Sequence, residues 1–335
     1  MEIKSLADFT VNVPEGRAFR ILQVTDTQII DSSAQRYAGR LSGEETEKWS
    51  PDRVDERMGV YLSGAVKAAD PDLIVHTGDF TYGEFDDEGV MLDRHVAMME
   101  SFGVPWALAL GNHEREAAIG EEEYCRRIAA APHSLFRYHT RFGGERLEGS
   151  ASYSVLLAAK EKDGTEKPVA LLFIVDTGCF NAEMPGGVGE RQRAWLRATA
   201  SAYGVPSYVF LHVPPKCFND AVAEFSSDPF SPFEIPEGRG FGYAGEYFPE
   251  RCTFDFDGSL FALLKEIGVK AVFAGHVHKN SYSVPWQGVR LCYGLKTGEY
   301  DSHLKDRLGG TEILISADGS FTHRHVTVSS GHDGK

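Results

Sequence analysis

Several short apolar runs in this chain end in residues with the chemistry to hold metal ions. Asp26 and Gln28 follow the run 19–25, Asp79 follows 73–75, and Asn112 and His113 follow 106–110. His212 follows 207–211, and His276 with His278 follows 269–274. Carboxylates, amides and imidazoles are the donors that a pair of hard to borderline divalent or trivalent cations takes. Each run reads as a short buried strand. In open α/β sheets, ligands gather at the carboxyl ends of strands, where loops present polar groups on a rigid frame. One such coincidence is cheap, but five in an order compatible with one sheet are not.

The elements needed to position these residues are legible in outline. Strand 19–25, helix 53–68, strand 73–75, helix 88–102 and strand 106–110 alternate in the manner of parallel βαβ units. Ser50-Pro51-Asp52 makes a helix start, and Val54, Met58, Tyr61, Leu62, Ala65 and Val66 are spaced for one buried helical face. Residues 1–18 read as an irregular lead-in and 31–50 as a surface loop near the first strand end. A helix is expected at 121–131, then strands at 151–159 and 168–175 joined as a hairpin by the charged loop 160–167. Helix 190–203 and strand 207–211 follow.

Residues 214–256 are rich in Pro, Gly, Phe and Asp. A loop of this length in a compact domain is usually functional or disordered. Its aromatics (Phe218, Phe225, Phe230, Phe233, Phe241, Tyr243, Tyr247, Phe248) call for packing, so the segment reads as an ordered cap or rim. Helix 258–267 and strand 269–274 come next, and short strands at 281–284, 289–293, 312–316 and 321–328 close the chain. With no repeat and no clean linker, one domain over 1–335 is expected, its core at about 19–328.

Composition excludes several classes. A net charge of −15 argues against a general nucleic-acid or anionic-membrane binder, which needs a basic surface. The same charge suits a phosphate-handling protein only if metal cations supply positive charge locally. No apolar run is long enough to span a bilayer. Met-Glu-Ile-Lys-Ser-Leu-Ala-Asp at the N-terminus lacks the charged-then-apolar pattern of a signal peptide. Cys125, Cys179, Cys217, Cys252 and Cys292 form no Cys-x-x-Cys pair, so neither a disulfide framework nor a thiolate zinc site is expected, and cytoplasm is the expected compartment.

The set Asp26-x-Gln28, Gly78-Asp79, Gly111-Asn112-His113-Glu114, His212 and Gly275-His276-x-His278 resembles the calcineurin-like metallophosphoesterase superfamily over about residues 20–295. Gly245-Glu246 ahead of Cys252, together with Leu291-Cys-Tyr-Gly-x-Lys-Thr-Gly298, is similar to the short, single-domain purple-acid-phosphatase-like phosphatases of plants and yeast. The resemblance implies an α/β fold, a four-layer α/β/β/α sandwich of two mixed sheets flanked by helices. It also implies two metal ions, drawn from Fe, Mn, Zn or Mg. Asp79 would bridge them, Asp26 and His278 would complete the first site, and Asn112, His212 and His276 the second. His113 would stand by the leaving-group oxygen as a general acid or charge-stabilising donor. The implied reaction is hydrolysis of a phosphate ester by attack of a metal-bridging hydroxide.

The first site departs from the pattern. Most of the superfamily has Asp-x-His where this chain has Asp26-x-Gln28. Gln ligates through its amide oxygen, a neutral, harder and weaker donor than imidazole, which shifts preference toward Mn, Mg or Fe. Purple acid phosphatases use a tyrosine three residues past the bridging Asp to hold ferric iron, and Tyr82 has that spacing from Asp79. Tyr82 is thus a rival to Gln28, although packing or substrate contact is the simpler role. Tyr82 also breaks the Gly-Asp-x-x-Asp-Arg-Gly motif of protein Ser/Thr phosphatases.

The remaining candidates read more plainly. His76, His95, His133, His139, His303 and His332 are taken as structural or solvent-exposed. His323 and His325 share a strand face but lack a carboxylate neighbour in sequence, so they too read as structural. Asp87, Glu88 and residues 121–123 suit helix starts, Asp176 suits a turn, and Arg239 either contacts a phosphate or is solvated.

Phosphomonoesters, small or on a protein, are preferred as substrates because the basic residues an open polymer-binding cleft would show are sparse. A phosphodiesterase or nuclease on the same site is the enzyme alternative. A non-catalytic binding protein, its first site weakened by Gln28, is the other.

Overall fold

The computed structural model describes residues 6–178, 186–226, 228, 231–246 and 253–329. Alternation along its strands builds the interior. In one sheet Tyr153, Val155 and Leu157 face one side and Leu156 and Ala158 the other. Tyr208, Phe210, Ala271 and Phe273 likewise oppose Val209, Val272 and Ala274. Neighbouring side chains in a strand point to opposite faces, so a sheet apolar at both parities must be covered twice.

Twelve strands form the two main sheets: β1 (Phe9–Asn12), β2 (Phe19–Val24), β3 (Leu73–His76), β4 (Trp106–Leu108), β5 (Tyr153–Lys160), β6 (Glu166–Ile174), β7 (Ser207–Phe210), β8 (Val269–Ala274), β9 (Ser283–Trp286), β10 (Val289–Tyr293), β11 (Gly309–Ile315) and β12 (Phe321–Thr327). The seven-stranded sheet runs β1-β5-β6-β7-β8-β10-β9 and the five-stranded sheet β12-β11-β2-β3-β4. Both are mixed. β2, β3 and β4 are parallel, as are β6, β7, β8 and β10, while β5–β6, β9–β10 and β11–β12 are antiparallel.

The inner faces share one apolar core, in which Phe210 stacks on Phe273 with centroids 4.9 Å apart. Truncating such a ring costs about 3–5 kcal/mol. Helices Val60–Ala69, Val90–Ser101 and Glu121–Ala129 join that core through Leu62, Leu92, Met99, Tyr124 and Ile128. Helices Glu190–Tyr203 and Ser259–Glu266 cover the outer face of the larger sheet through Trp195, Leu196, Leu260 and Leu264. The result is the expected sandwich, helix–sheet–sheet–helix.

The structure corrects several elements. The helix expected over 53–68 is two, Val54–Met58 and Val60–Ala69, parted at Gly59, where a Cβ would lie 2.8 Å from Met98 Cε. Residues 9–12 are not lead-in but strand β1, paired in parallel with β5. The strand expected at 281–284 is Ser283–Trp286. It passes through Pro285 because it lies at the sheet edge, where a missing N–H costs no ladder bond. The 160–167 loop is shortened by strand extension on both sides to a turn over 161–165.

Within 214–256 the chain forms a helix, Cys217–Val222, and a pair of two-residue strands, Phe233–Glu234 with Tyr243–Ala244. Phe218 is fully buried and Phe225 and Phe233 pack beside the outer core. Phe230, Tyr247 and Phe248 lie outside the described residues. No helix among the described residues is long and apolar enough to cross a membrane.

Candidate metal centre

The carboxyl ends of β2, β3, β4, β7 and β8 converge. Asp26 stands two residues past β2, Asp79 three past β3, Asn112 four past β4, and His212 and His276 two past β7 and β8. Two groups of side chains bring their ligand atoms within 4.8 Å of one another: Asp79, His212 and His276, and Asp26, Asp79 and His278. Asp79 belongs to both. Its Oδ1 lies 3.3 Å from His212 Nε2, which is also 3.1 Å from Asn112 Oδ1 and 3.2 Å from His276 Nδ1. In the other group His278 Nε2 lies 3.3 Å from Asp26 Oδ1.

The backbone is bent to achieve this. Asp26, Gln28, Asp79 and His276 all have positive φ, between 46° and 74°. Left-handed backbone costs a non-glycine residue roughly 1–2 kcal/mol, and such strain collects at functional sites. Two motif glycines are required by close approach. A Cβ on Gly111 would lie 2.3 Å from Asp79 Oδ1, and one on Gly78, itself at φ 88°, would lie 2.5 Å from His212 Nδ1.

The donor set fits cations. Asp26 Oδ1 is buried without a hydrogen bond, while its Oδ2 accepts from Thr25 Oγ1 and the His276 amide. His212 Nδ1 donates to Thr77 O at 2.7 Å, the backing that orients a ligating imidazole and turns its other nitrogen inward. Burial opposes charge on the His212 ring, yet Asp79 and Asp26 overcome it and push its pKa up to about 9. Burial and the nearby His212 hold His276 down to about 3. Burial would raise the Asp79 pKa, but His212 and His113 keep it well below the usual carboxylate range.

His113 stands at the rim of the group. Its amide donates to Asp79 Oδ1 at 3.1 Å, its Nδ1 lies 2.6 Å from Glu116 Oε2, and its Nε2 lies 3.8 Å from Asp79 Oδ2. Burial works against the charged ring, but Asp79 and Glu116 outweigh it and raise its pKa. Tyr82 stacks on His113 with centroids 3.7 Å apart, and its hydroxyl accepts from Arg40 at 3.3 Å. Burial, Glu116 and Asp301 all raise the phenol's pKa, which disfavours a phenolate.

Gln28 is held in an unexpected way. Its Nε2 donates to Asp79 Oδ2 at 3.2 Å, and its Oε1 accepts from Lys296 Nζ at 2.6 Å. The amide cannot be turned over, because its oxygen would then face a carboxylate and its NH2 an ammonium. Lys296 is 2% exposed and also donates to Asp26 O at 2.9 Å. Burial lowers its pKa to about 8, against the attraction of Asp26, Asp301 and Asp79. The sequence offers Lys296 no place among the metal donors, because an ammonium ligates nothing. The strand-end rule would have found it, since it lies three residues past β10.

Two further supports follow Asn112. Buried Glu114 accepts from the amides of Phe80 and Gly111. Arg115 donates to Gly111 O and to both oxygens of Asp176. Asp176, expected in a turn, also accepts from the amides of Ser150, Ala151 and Gly178.

The other candidates stand apart. His76 contacts Thr27 Oγ1 and His95 stacks on Phe80. His133 pairs with Glu100, and Asp87 with Arg36. His323 meets Ser283 Oγ, and His325 meets Thr311 Oγ1 and Ser281 O. Arg239 pairs with Glu224 and, with Tyr208, Lys270 and Arg290, lines a cavity of about 940 Å³ at the strand starts, the end opposite the candidate metal ligands. Cys125, Cys217 and Cys292 are buried free thiols. Cys179, Cys252 and His332 lie outside the described residues.

Comparison with known proteins bears on what this arrangement does. Residues 19–280 match the family described as calcineurin-like phosphoesterase. A "probable inactive purple acid phosphatase 29" of Arabidopsis thaliana is 23% identical over 311 residues, covering 87% of this chain and 74% of that protein. Phosphatase DCR2 of Saccharomyces cerevisiae is 23% identical over 319 residues, covering 90% of this chain and 51% of the yeast protein. A dimetal phosphatase from Danio rerio superposes with a TM-score of 0.52 at 13% identity, over 94% of this chain and 99% of that one. GAP50, the anchor in the inner membrane complex of Plasmodium, superposes with a TM-score of 0.53 at 13% identity, over 95% of this chain and 86% of that one. At these identities the solved structures establish the fold.

Proposed function

The chain belongs to the calcineurin-like phosphoesterase family, and on that premise we propose that it hydrolyses phosphomonoesters with the aid of two metal ions. The observation that carries the reading is the Asp79 carboxylate, common to both groups of potential ligands. A shared carboxylate offers one oxygen to each cation and offsets their mutual repulsion. Asp26 and His278 would hold one ion, and Asn112, His212 and His276 the other. Bound there, the ions would supply Lewis acidity toward phosphate oxygens and acidify a water.

The chain's own residues then do the rest. His113 is oriented by Glu116 and stacked against Tyr82, which places it to donate a proton to the leaving oxygen. Tyr82, Phe85 and Tyr300 form an apolar wall behind it. The acidic surface favours a small substrate, or a phosphate carried on a protein, over nucleic acid.

The test is hydrolysis of an aryl phosphate monoester by protein reloaded with Mn, Fe or Zn. We expect activity on the monoester above that on a bis-aryl diester, and its loss in Asp79→Asn with the fold intact by circular dichroism. Undiminished turnover in Asp79→Asn would sink the reading. The reverse preference for the diester would make the protein a phosphodiesterase.

A second reading, a family member that hydrolyses nothing, is favoured by one observation: the oxygen of Gln28 is engaged by Lys296. The plant relative's name carries the word inactive. Absence of both bound metal and turnover after reloading would decide for it.

A further inference from the structure

Lys296 has a charge without a contacting counter-charge. Its two hydrogen-bond acceptors, Gln28 Oε1 and Asp26 O, are neutral oxygens. A buried ammonium is costly unless compensated. Burial lowers its pKa to about 8 and outweighs the through-space pull of the Asp26, Asp301 and Asp79 carboxylates, so the compensation is partial. Two of these are the carboxylates on which the first metal site depends.

Three consequences follow for that site. The only atom with which Gln28 could ligate is engaged, and the face it turns to Asp79 is a donor N–H. Lys296 Nζ also holds Asp26 O, so the residue that offers this site its carboxylate is tied to the same side chain. And the donors are unequal. Asp79, His212 and His276 are joined by Asn112 Oδ1 beside His212. Asp26, Asp79 and His278 gain no fourth donor from Gln28.

We propose that Lys296, by engaging the Gln28 oxygen, makes the Asp26–Asp79–His278 site a weak and exchangeable one beside a tight site at Asp79, Asn112, His212 and His276. The inference rests on the metal-centre reading above and deepens it. The chain would be isolated with one ion and fill the second site only when free metal is plentiful, so metal supply would set the fraction of dinuclear centres.

Equilibrium dialysis against Mn2+ or Zn2+, with bound metal counted by elemental analysis, reads this without any assay of turnover. We expect one tight equivalent and a second weaker by roughly 10- to 100-fold, the scale on which groups outside the ligand shell tune metal affinity. Lys296→Met, which frees the Gln28 oxygen, should tighten the second equivalent by about tenfold, and Lys296→Arg, which keeps a donor toward it, should leave it weak. Gln28→Ala should not weaken it, since Gln28 is not a ligand. Electron paramagnetic resonance should give an isolated Mn2+ signal at one equivalent and a coupled pair only at excess metal.

Two equivalents of equal affinity in the unaltered protein, or loss of the second in Gln28→Ala, overturns this inference and leaves the phosphoesterase reading standing. No bound metal overturns both. If Lys296→Met fails to fold, the unaltered protein and Gln28→Ala decide alone.

Discussion

Glu114 accepts the backbone N–H of Phe80 at 2.6 Å through one oxygen and that of Gly111 at 2.7 Å through the other. A single buried carboxylate thereby clamps the residue after Asp79 to the residue before Asn112. Glu114→Gln has only one oxygen to serve two amides, and its NH2 would face the other donor. We expect a loss of about 1–3 kcal/mol, read from urea unfolding, with metal affinity falling alongside. Stability equal to that of the unaltered protein would mean that the two loops are held by something else.

Arg115 and Asp176 make a second clamp, and their dependence on each other is unequal. Arg115→Met leaves Asp176 with three backbone amides still donating to it. Asp176→Leu strands those amides and leaves the Arg115 guanidinium with only Glu121 and Gly111 O. The Asp176 variant should cost about 3–5 kcal/mol and the Arg115 variant less, by chemical denaturation. The opposite order would assign the clamp to the arginine.

Tyr82 should prove dispensable for metal. Its hydroxyl serves Arg40, and its phenol pKa is raised by burial, Glu116 and Asp301. Tyr82→Phe is expected to keep its full metal content, and the iron-loaded protein to lack a ferric–phenolate band in the visible. Tyr82→Leu, which loses the stacking on His113, should lower turnover and cost on the order of 1 kcal/mol. A visible band that vanishes in Tyr82→Phe would restore the tyrosine as a ligand.

The pair His323 and His325 gives a prediction in pH. Burial, with Arg290 near His323 and Arg307 near His325, holds both rings down to about 4. Both stay neutral in the fold while the unfolded chain protonates near the ordinary value of about 6.5. Stability is therefore full above about 6.5 and is lost as pH falls toward about 4, by a few kcal/mol for the pair. Thermal unfolding across that window should be steep in the unaltered protein and flatter in the double variant His323→Asn, His325→Gln. Equal slopes would place the acid sensitivity elsewhere.

The metal-ligand candidates were readable because each is a polar residue just past a short apolar run, and strand ends cannot be far apart when the strands are neighbours. The two-sheet architecture was implied by the resemblance to calcineurin-like phosphoesterases and not by the periodicity of those runs. What was not readable depended on partners distant in sequence. Nothing near Gln28 announces that Lys296, 268 positions away, takes its oxygen. Strand β1 escaped because it is half-exposed and four residues long, with no apolar run to mark it. The break at Gly59 and the passage of β9 through Pro285 are settled by a neighbouring methionine and by an edge position, neither of which shows in local periodicity.

The left-handed backbone at Asp26, Gln28, Asp79 and His276 sets heat resistance against function in this molecule. Glycine would relieve the strain at any of the four, but at Asp26, Asp79 and His276 at the expense of a proposed metal ligand. A library sorted by melting temperature alone would therefore drift toward glycine at these codons. Its hardiest members would be those that had given up their grip on metal.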